Sequence, residues 1–362
     1  MNFAVIPWDD AGLRDQIFDT SESERNADHR LEPFYDMQQH FARRGDSFHT
    51  IDFYDDLRKV DYFLFFSLQW KWVVRLLRIG AEGRMVYCNA EPPTVDALNT
   101  PEGFGFLKRY FPYIMTWNDA WTDGKTIFKR HIPYYFAPPQ EGLPFAERAL
   151  LTCISGNKRS SHPEELYSER ERVITFFEKK YPEMFRFYGT GWDRQKHPCY
   201  GGKARKKAEV YGLYKFAVCF ENMKHIKGYV TEKILDCLTD GIVPVYAGAE
   251  NIGEYVPPEC FIDYWQFDSL EALDAYLQSV TQERFEMYRQ AARLFLNSPA
   301  VTAFGGAQYA EDIYALARHP KSFRVSGGDR LLAVGKAAGE AGHKRVQALK
   351  SGWRERACRF KK

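Results

Sequence analysis

The stretch Lys215–Gly248, KFAVCFENMKHIKGYVTEKILDCLTDGIVPVYAG, decides the fold. Phe216 to Phe220 is an unbroken apolar run of strand length, and Thr231 to Asp240 has helical spacing. Ile242 to Tyr246 is a second apolar run rich in β-branched residues. Runs without polar alternation suit strands covered on both faces, and a helix joining two of them implies a right-handed parallel crossover. The stretch therefore predicts an α/β protein built on a parallel sheet. Ligands of such sheets lie beyond the carboxyl ends of the strands, which places Glu221, Asn222, Lys224, His225, Lys227 and Tyr229 at the rim.

Thr231 is the expected N-cap of the helix, Ile234, Leu235 and Leu238 its buried stripe, and Gly241 its end. A helix N-terminus presents unpaired N–H groups and about half a positive charge, so with Lys233 beside it the end suits a phosphate or diphosphate. Glu232 is placed to accept hydrogen bonds from sugar hydroxyls. Both residues are also what a solvated first turn ordinarily carries.

FEN (220–222), YVTEK (229–233) and GIVPVYAG (241–248) together resemble the donor-binding signature of the family 10 glycosyltransferases, the α-1,3/4-fucosyltransferases, with one residue more between the first two parts. The resemblance implies a GT-B fold, meaning two Rossmann-like domains facing across a cleft. It also implies a GDP-fucose donor, a glycan acceptor and inverting transfer. It assigns Tyr229, Glu232, Lys233 and Asn222 to the nucleotide sugar.

Two further segments extend it. Asn89-Ala90-Glu91-Pro92-Pro93 follows a strand candidate at Arg84 to Cys88, and the prolines hold Glu91 extended with no N–H to offer for further pairing. This resembles the family's Glu-Ser-Pro motif, with Pro92 in place of Ser, and implies that Glu91 is the catalytic base. An exposed Glu before a turn is the plainer alternative. On the helix expected over Glu164 to Lys180, Arg170 with Val173 and Phe177 fits the pattern of the diphosphate-binding Arg; Arg172 is the competing register.

The 362 residues allow two domains. The Pro- and Gly-rich stretch 137–143 is the natural linker, giving an acceptor domain over 1–140 and a donor domain over 141–317. Residues 318–362 read as a basic tail. That tail holds 13 Lys and Arg against 3 Asp and Glu, so the net charge of +2 conceals a body at −8 and a tail at +10. Within it Val346, Leu349 and Trp353 recur at helical spacing, which suits an anionic membrane surface. Nucleic acid is the rival partner for a basic tail but leaves the donor motifs unexplained.

Seven cysteines without CxxC spacing read as buried small residues rather than a disulfide framework. With no signal-peptide pattern at the start, they favour a reducing, cytoplasmic setting, peripheral on the inner membrane through the tail. No Asp-x-Asp pair sits convincingly at a donor site, so no metal ligand and no obligatory cofactor are expected, with a divalent metal at most stimulatory. The function expected is fucosyl transfer from GDP-fucose to a glycan hydroxyl, in bacterial surface polysaccharide synthesis. A different GDP-sugar on the same fold, or nucleotide-sugar binding without turnover, are the alternatives.

Overall fold

The computed structural model describes residues 1–22, 24–138 and 142–359, with side chains to 343. The first sheet is built from β1 (Asn2–Ile6), β2 (Ser47–Thr50), β3 (Tyr62–Phe65), β4 (Met85–Cys88), β5 (Tyr113–Thr116) and β6 (Ile127–Lys129) in the order β2-β1-β3-β4-β5-β6. Every pairing is parallel. Helices α1 (Glu32–Arg43), α2 (Trp70–Arg78) and α3 (Pro101–Leu107) make crossovers between these strands. Strand alternation divides the side chains between two faces. Ala4 and Ile6 join the core that holds α2 and α3, while Phe3 and Val5 join the core that holds α1.

The second sheet contains β7 (Ala149–Ile154), β8 (Phe185–Tyr188), β9 (Tyr214–Phe220), β10 (Val243–Ala247) and β11 (Ile262–Asp263), ordered β11-β10-β9-β7-β8 and again all parallel. It carries α4 (Tyr167–Lys180), α5 (Lys207–Tyr211), α6 (Glu232–Thr239), α7 (Leu270–Ser279) and α8 (Gln282–Leu296) on its two faces. The expected strand, helix, strand unit is therefore β9-α6-β10, and the α/β reading of the sequence holds for both sheets. Six cysteines, Cys88, Cys153, Cys199, Cys219, Cys237 and Cys260, are free and buried; the side chain of Cys358 lies outside the described residues.

The last two helices revise the domain plan. The boundary expected at residues 140 and 141 lies outside the described residues. Helix α9 (Gly306–Ala317), counted by sequence with the second domain, buries Tyr309, Ala310, Ile313 and Tyr314 in the first domain's α1-side core. Each fully buried large side chain contributes about 1.5–3 kcal/mol, and polar ties add to it: Tyr62 Oη donates to Ala317 O at 3.2 Å and Tyr113 Oη to His319 O at 2.8 Å.

Residues 318–362, expected as a tail, begin as part of the same domain. Val325 and Ala333 enter the α2-side core, Asp329 pairs with Arg109, and Arg330 pairs with the buried Glu82. Helix α10 (Gly327–Arg359) then runs along α2, where Glu340 Oε2 accepts from the Trp70 N–H at 3.1 Å and so caps that helix. The amphipathic spacing of Val346, Leu349 and Trp353 concerns side chains outside the described residues.

Strand β6 stops at Lys129. Beyond it Pro133 and Pro138 lack N–H groups, and the Tyr134 N–H bonds instead to Phe304 O at 2.6 Å.

Candidate active site

The carboxyl ends of the two sheets face each other. At the end of β4 the chain turns through Asn89, Ala90 and Glu91, and a network fixes that turn. Asn89 Nδ2 and Asn99 Nδ2 both donate to Glu91 O, at 3.1 and 2.6 Å. Asn89 Oδ1 accepts from Thr116 Oγ1 at 3.0 Å, Asn89 O accepts from Arg130, and Ala90 O accepts from Trp117 Nε1 at 3.0 Å. Asn89 and Asn99 are themselves buried. The backbone of Glu91 is thus held from within the core while its side chain is exposed to the cleft.

Opposite it stands the N-terminus of α6. Thr231 Oγ1 caps the helix by accepting from the Lys233 N–H at 3.3 Å, as the sequence predicts. Beneath lies Glu221, fully buried, taking Thr231 N at 2.9 Å, Thr231 Oγ1 at 2.8 Å and Lys233 Nζ at 3.2 Å. Sequence reasoning put Glu221 at the rim. Strand parity is the signal that it turns inward, because it follows Ala217 and Cys219 on the β9 face covered by α6. Lys233 Nζ also reaches Thr231 Oγ1 at 3.1 Å and Glu232 Oε1 at 3.4 Å.

Crowding by protein raises the Glu91 carboxyl above its ordinary value, and the charge of Glu232 across the cleft raises it further. Lys233 and Lys158 oppose that rise. Glu232 goes the other way and is held down at about 2. Burial works to raise it, but Lys233 and Lys207, together with hydrogen bonds, overcome that. The Glu91 carboxyl thus feels Glu232 from the other domain, and burial on one side against lysine charge on the other sets their acidities apart.

The remaining expected residues fall around this pair. Arg170 is the inward register of α4: it is 5% exposed and donates to Phe220 O at 2.7 Å, Glu221 O at 2.9 Å and Ser155 Oγ at 3.1 Å. It thereby ties the ends of β7 and β9 together. Arg172 points outward to Glu169 and Tyr264. Asn222 is half-buried in the loop after β9, where its carbonyl accepts from the Leu166 N–H at 3.1 Å.

Tyr229 is buried with its ring 4.5 Å from that of Trp117 in the first domain, so it packs the floor of the cleft where the domains meet. Beside it Gly228 adopts φ +82°, and a Cβ there would lie 2.3 Å from Trp117 O, so only glycine permits this approach. The basic run 201–207 ends in a fixed residue: Lys207 Nζ bonds Asp236 Oδ2 at 2.5 Å and its N–H bonds Asp28 Oδ1 at 3.0 Å.

Residues 156–292 match the model of glycosyltransferase family 10 (fucosyltransferase), C-terminal part. That match covers less than half of the chain. Over 65 residues it is 43% identical to an α-(1,4)-fucosyltransferase of Arabidopsis thaliana, covering 18% of this chain and 16% of that protein. Over 68 residues it is 41% identical to the mouse (Mus musculus) 4-galactosyl-N-acetylglucosaminide 3-α-L-fucosyltransferase 9, covering 18% and 19%. The matches thus span less than a fifth of either relative.

Among solved structures, an α1,3-fucosyltransferase crystallised with GDP-fucose aligns over 90% of this chain and 92% of its own with a TM-score of 0.52 at 14% identity. The two facing parallel-sheet domains are a GT-B fold. Arg170, Asn222, Tyr229, Glu232 and Lys233 lie within the matched residues, whereas Glu91, Asn89 and Asn99 come from the first domain, outside them. Asn99 escaped sequence reasoning because its part is set by the turn it packs against, whereas Lys158 stands in the basic Gly-containing loop after β7, a weak anion-site pattern in the sequence.

Proposed function

We propose that this protein is an inverting fucosyltransferase that moves fucose from GDP-fucose to a hydroxyl of a glycan. One observation carries the reading: Glu91, on the first domain, has its carboxyl raised chiefly by burial and then by the charge of Glu232 on the second, so a candidate base and the donor motif share one cleft. Glu91 takes the proton of the acceptor hydroxyl as that oxygen attacks the anomeric carbon. The bond from that carbon to the diphosphate breaks on the opposite face, and its electron pair leaves on the phosphate oxygen.

Charge developing on the diphosphate is stabilised by the α6 N-terminus, Lys233 and Lys158, with Arg170 holding the frame behind them. Glu232, anionic throughout, accepts hydrogen bonds from sugar hydroxyls. The acidity gap between the two carboxylates supports this division of roles. No obligatory metal or cofactor enters the scheme, and a divalent ion would act only as a stimulant.

The test is a donor screen with 4-galactosyl-N-acetylglucosaminide as acceptor, comparing GDP-fucose with other GDP-linked sugars and reading the anomeric configuration of the product. Transfer from GDP-fucose with inversion is expected. Transfer from another GDP-sugar alone overturns the donor, and tight GDP-fucose binding without turnover overturns the enzyme.

The excess of basic residues from Arg318 onward supports a place on an anionic membrane surface on the cytoplasmic side, in the making of surface polysaccharide. Removal of residues 344–362 is expected to abolish liposome binding and to spare transfer to a soluble acceptor.

A further inference from the structure

The first sheet offers a second feature on the rim that carries Glu91. Ile6, Phe65 and Tyr87 lie in one row across β1, β3 and β4. Trp8 lies two residues beyond that row and Glu91 four. Neighbouring strands are about 4.8 Å apart, so β1 and β4, the strands that lead into Trp8 and Glu91, lie about 10 Å apart across the sheet. The opposite edge of the rim is closed by domain contacts. There Asp119 accepts from Asn251 Nδ2 at 3.0 Å and from Tyr255 Oη at 2.5 Å, and Lys129 donates to Tyr255 Oη at 2.6 Å. The row therefore runs from the closed edge at β5 and β6, past Glu91, to Trp8.

Trp8 is 42% exposed, yet it is held firmly. Its ring meets Phe34 edge to face at 5.1 Å and Phe66 at 5.5 Å. Ser67 Oγ donates to Trp8 O at 2.9 Å, and Gln69 Nε2 donates to Pro7 O at 2.6 Å. Among the described residues its indole Nε1 donates to no protein acceptor. Scattered exposed apolar side chains need no explanation. An indole braced by two aromatic rings and two backbone bonds, at the same carboxyl-end rim as the candidate base, is a different object.

We propose that Trp8 is the platform of an acceptor subsite, on which the sugar ring next to the reacting one stacks. The deduction rests on the fucosyltransferase reading above. The face of a pyranose rich in C–H bonds is apolar and slightly positive, and it complements the negative face of an indole. A pre-braced Trp loses little rotamer freedom on binding. The separation of β1 and β4 is of the order of a disaccharide, so one ring can meet the base while its neighbour covers the indole.

The experiment uses the full chain with Trp8→Ala and Trp8→Phe. Initial rates are measured at saturating GDP-fucose with 4-galactosyl-N-acetylglucosaminide and with N-acetylglucosamine, alongside GDP-fucose calorimetry and thermal melts. Trp8→Ala should raise KM for the disaccharide about tenfold. It should leave KM for the monosaccharide and donor affinity unchanged, and Trp8→Phe should recover part of the loss. Unchanged KM for the disaccharide, or an equal effect on both acceptors, overturns the subsite. Should the wild-type protein transfer to neither acceptor, the function proposed above fails for them, and saturation-transfer NMR of disaccharide binding decides the subsite. Binding lost in Trp8→Ala upholds it; binding unchanged, or absent in wild type, overturns it.

Discussion

Lys233 Nζ lies 3.2 Å from Oε2 of Glu221, a carboxylate with no exposed surface. The ammonium that the donor motif offers to a diphosphate is thus also the counter-charge of a buried anion beneath the helix. Burial acts to raise the Glu221 carboxyl and Lys233 acts to lower it, so the lysine serves both fold and site.

These two roles can be separated. Lys233→Ala strands Glu221 without its partner and is expected to cost about 3–5 kcal/mol of stability, along with GDP affinity. The double variant Glu221→Gln/Lys233→Met removes both charges and should recover most of the melting temperature. It should still bind GDP more weakly, by the roughly 1.5–3 kcal/mol of a charge-assisted contact. Wild-type GDP affinity in the double variant, by titration calorimetry, would assign Lys233 to the fold alone.

Glu91→Gln preserves size and hydrogen-bonding shape but cannot take a proton. Turnover should fall about a hundred- to ten-thousand-fold, with GDP-fucose affinity unchanged. Since the Glu91 carboxyl is raised by crowding and by Glu232, the wild-type rate should fall, as pH is lowered, through a limb lying above the ordinary Glu value of about 4.3. Glu102→Gln, in the first turn of α3, is the control and should keep both rate and profile. An active Glu91→Gln enzyme moves the base elsewhere, with Asp96 the next residue to change.

Asn99 acts through Glu91 rather than on substrate. Removing its amide, 2.6 Å from Glu91 O, frees the turn that aims the carboxylate. Asn99→Ala should lower kcat about tenfold without changing donor affinity, and should move the acidic limb, because the distance from Glu91 to Glu232 changes. A loss of stability with kcat and limb intact would leave Asn99 a purely structural residue.

Asp240, at the C-cap of α6, has its carboxyl pushed up to about 7, chiefly by burial and then by Asp236 and Asp28, against the pull of Lys207. In the unfolded chain it titrates near 3.9. Between those values the folded protein holds a proton that the unfolded chain releases, so stability declines as pH rises from 4 to 7 and the penalty is complete above 7. Asp240→Asn should therefore raise stability at pH 8 by on the order of 1–3 kcal/mol, an effect that shrinks toward pH 4. Melts of both proteins across this range check it, and a shift independent of pH would point to another cause.

Much of this was legible locally. Unbroken apolar runs around a capped helix identified β9, α6 and β10, because backbone geometry repeats every 2 or 3.6 residues and stamps that period on the side chains. Between Arg170 and Arg172, which the sequence left as competing registers, the structure puts Arg170 with Val173 and Phe177 on the buried stripe of α4 and leaves Arg172 outside. Glu91 stood out because two prolines follow it at a strand end.

Tertiary structure decided what joins distant residues. Nothing near residue 310 or 333 says that α9 and the start of α10 complete the first domain; that depends on which apolar face is left uncovered once the second sheet has formed. Periodicity tells a residue which way to face, but the partner it meets there is set by the packing of whole layers. For that reason Tyr229 finds Trp117, and Glu91 finds Glu232, only in the folded chain.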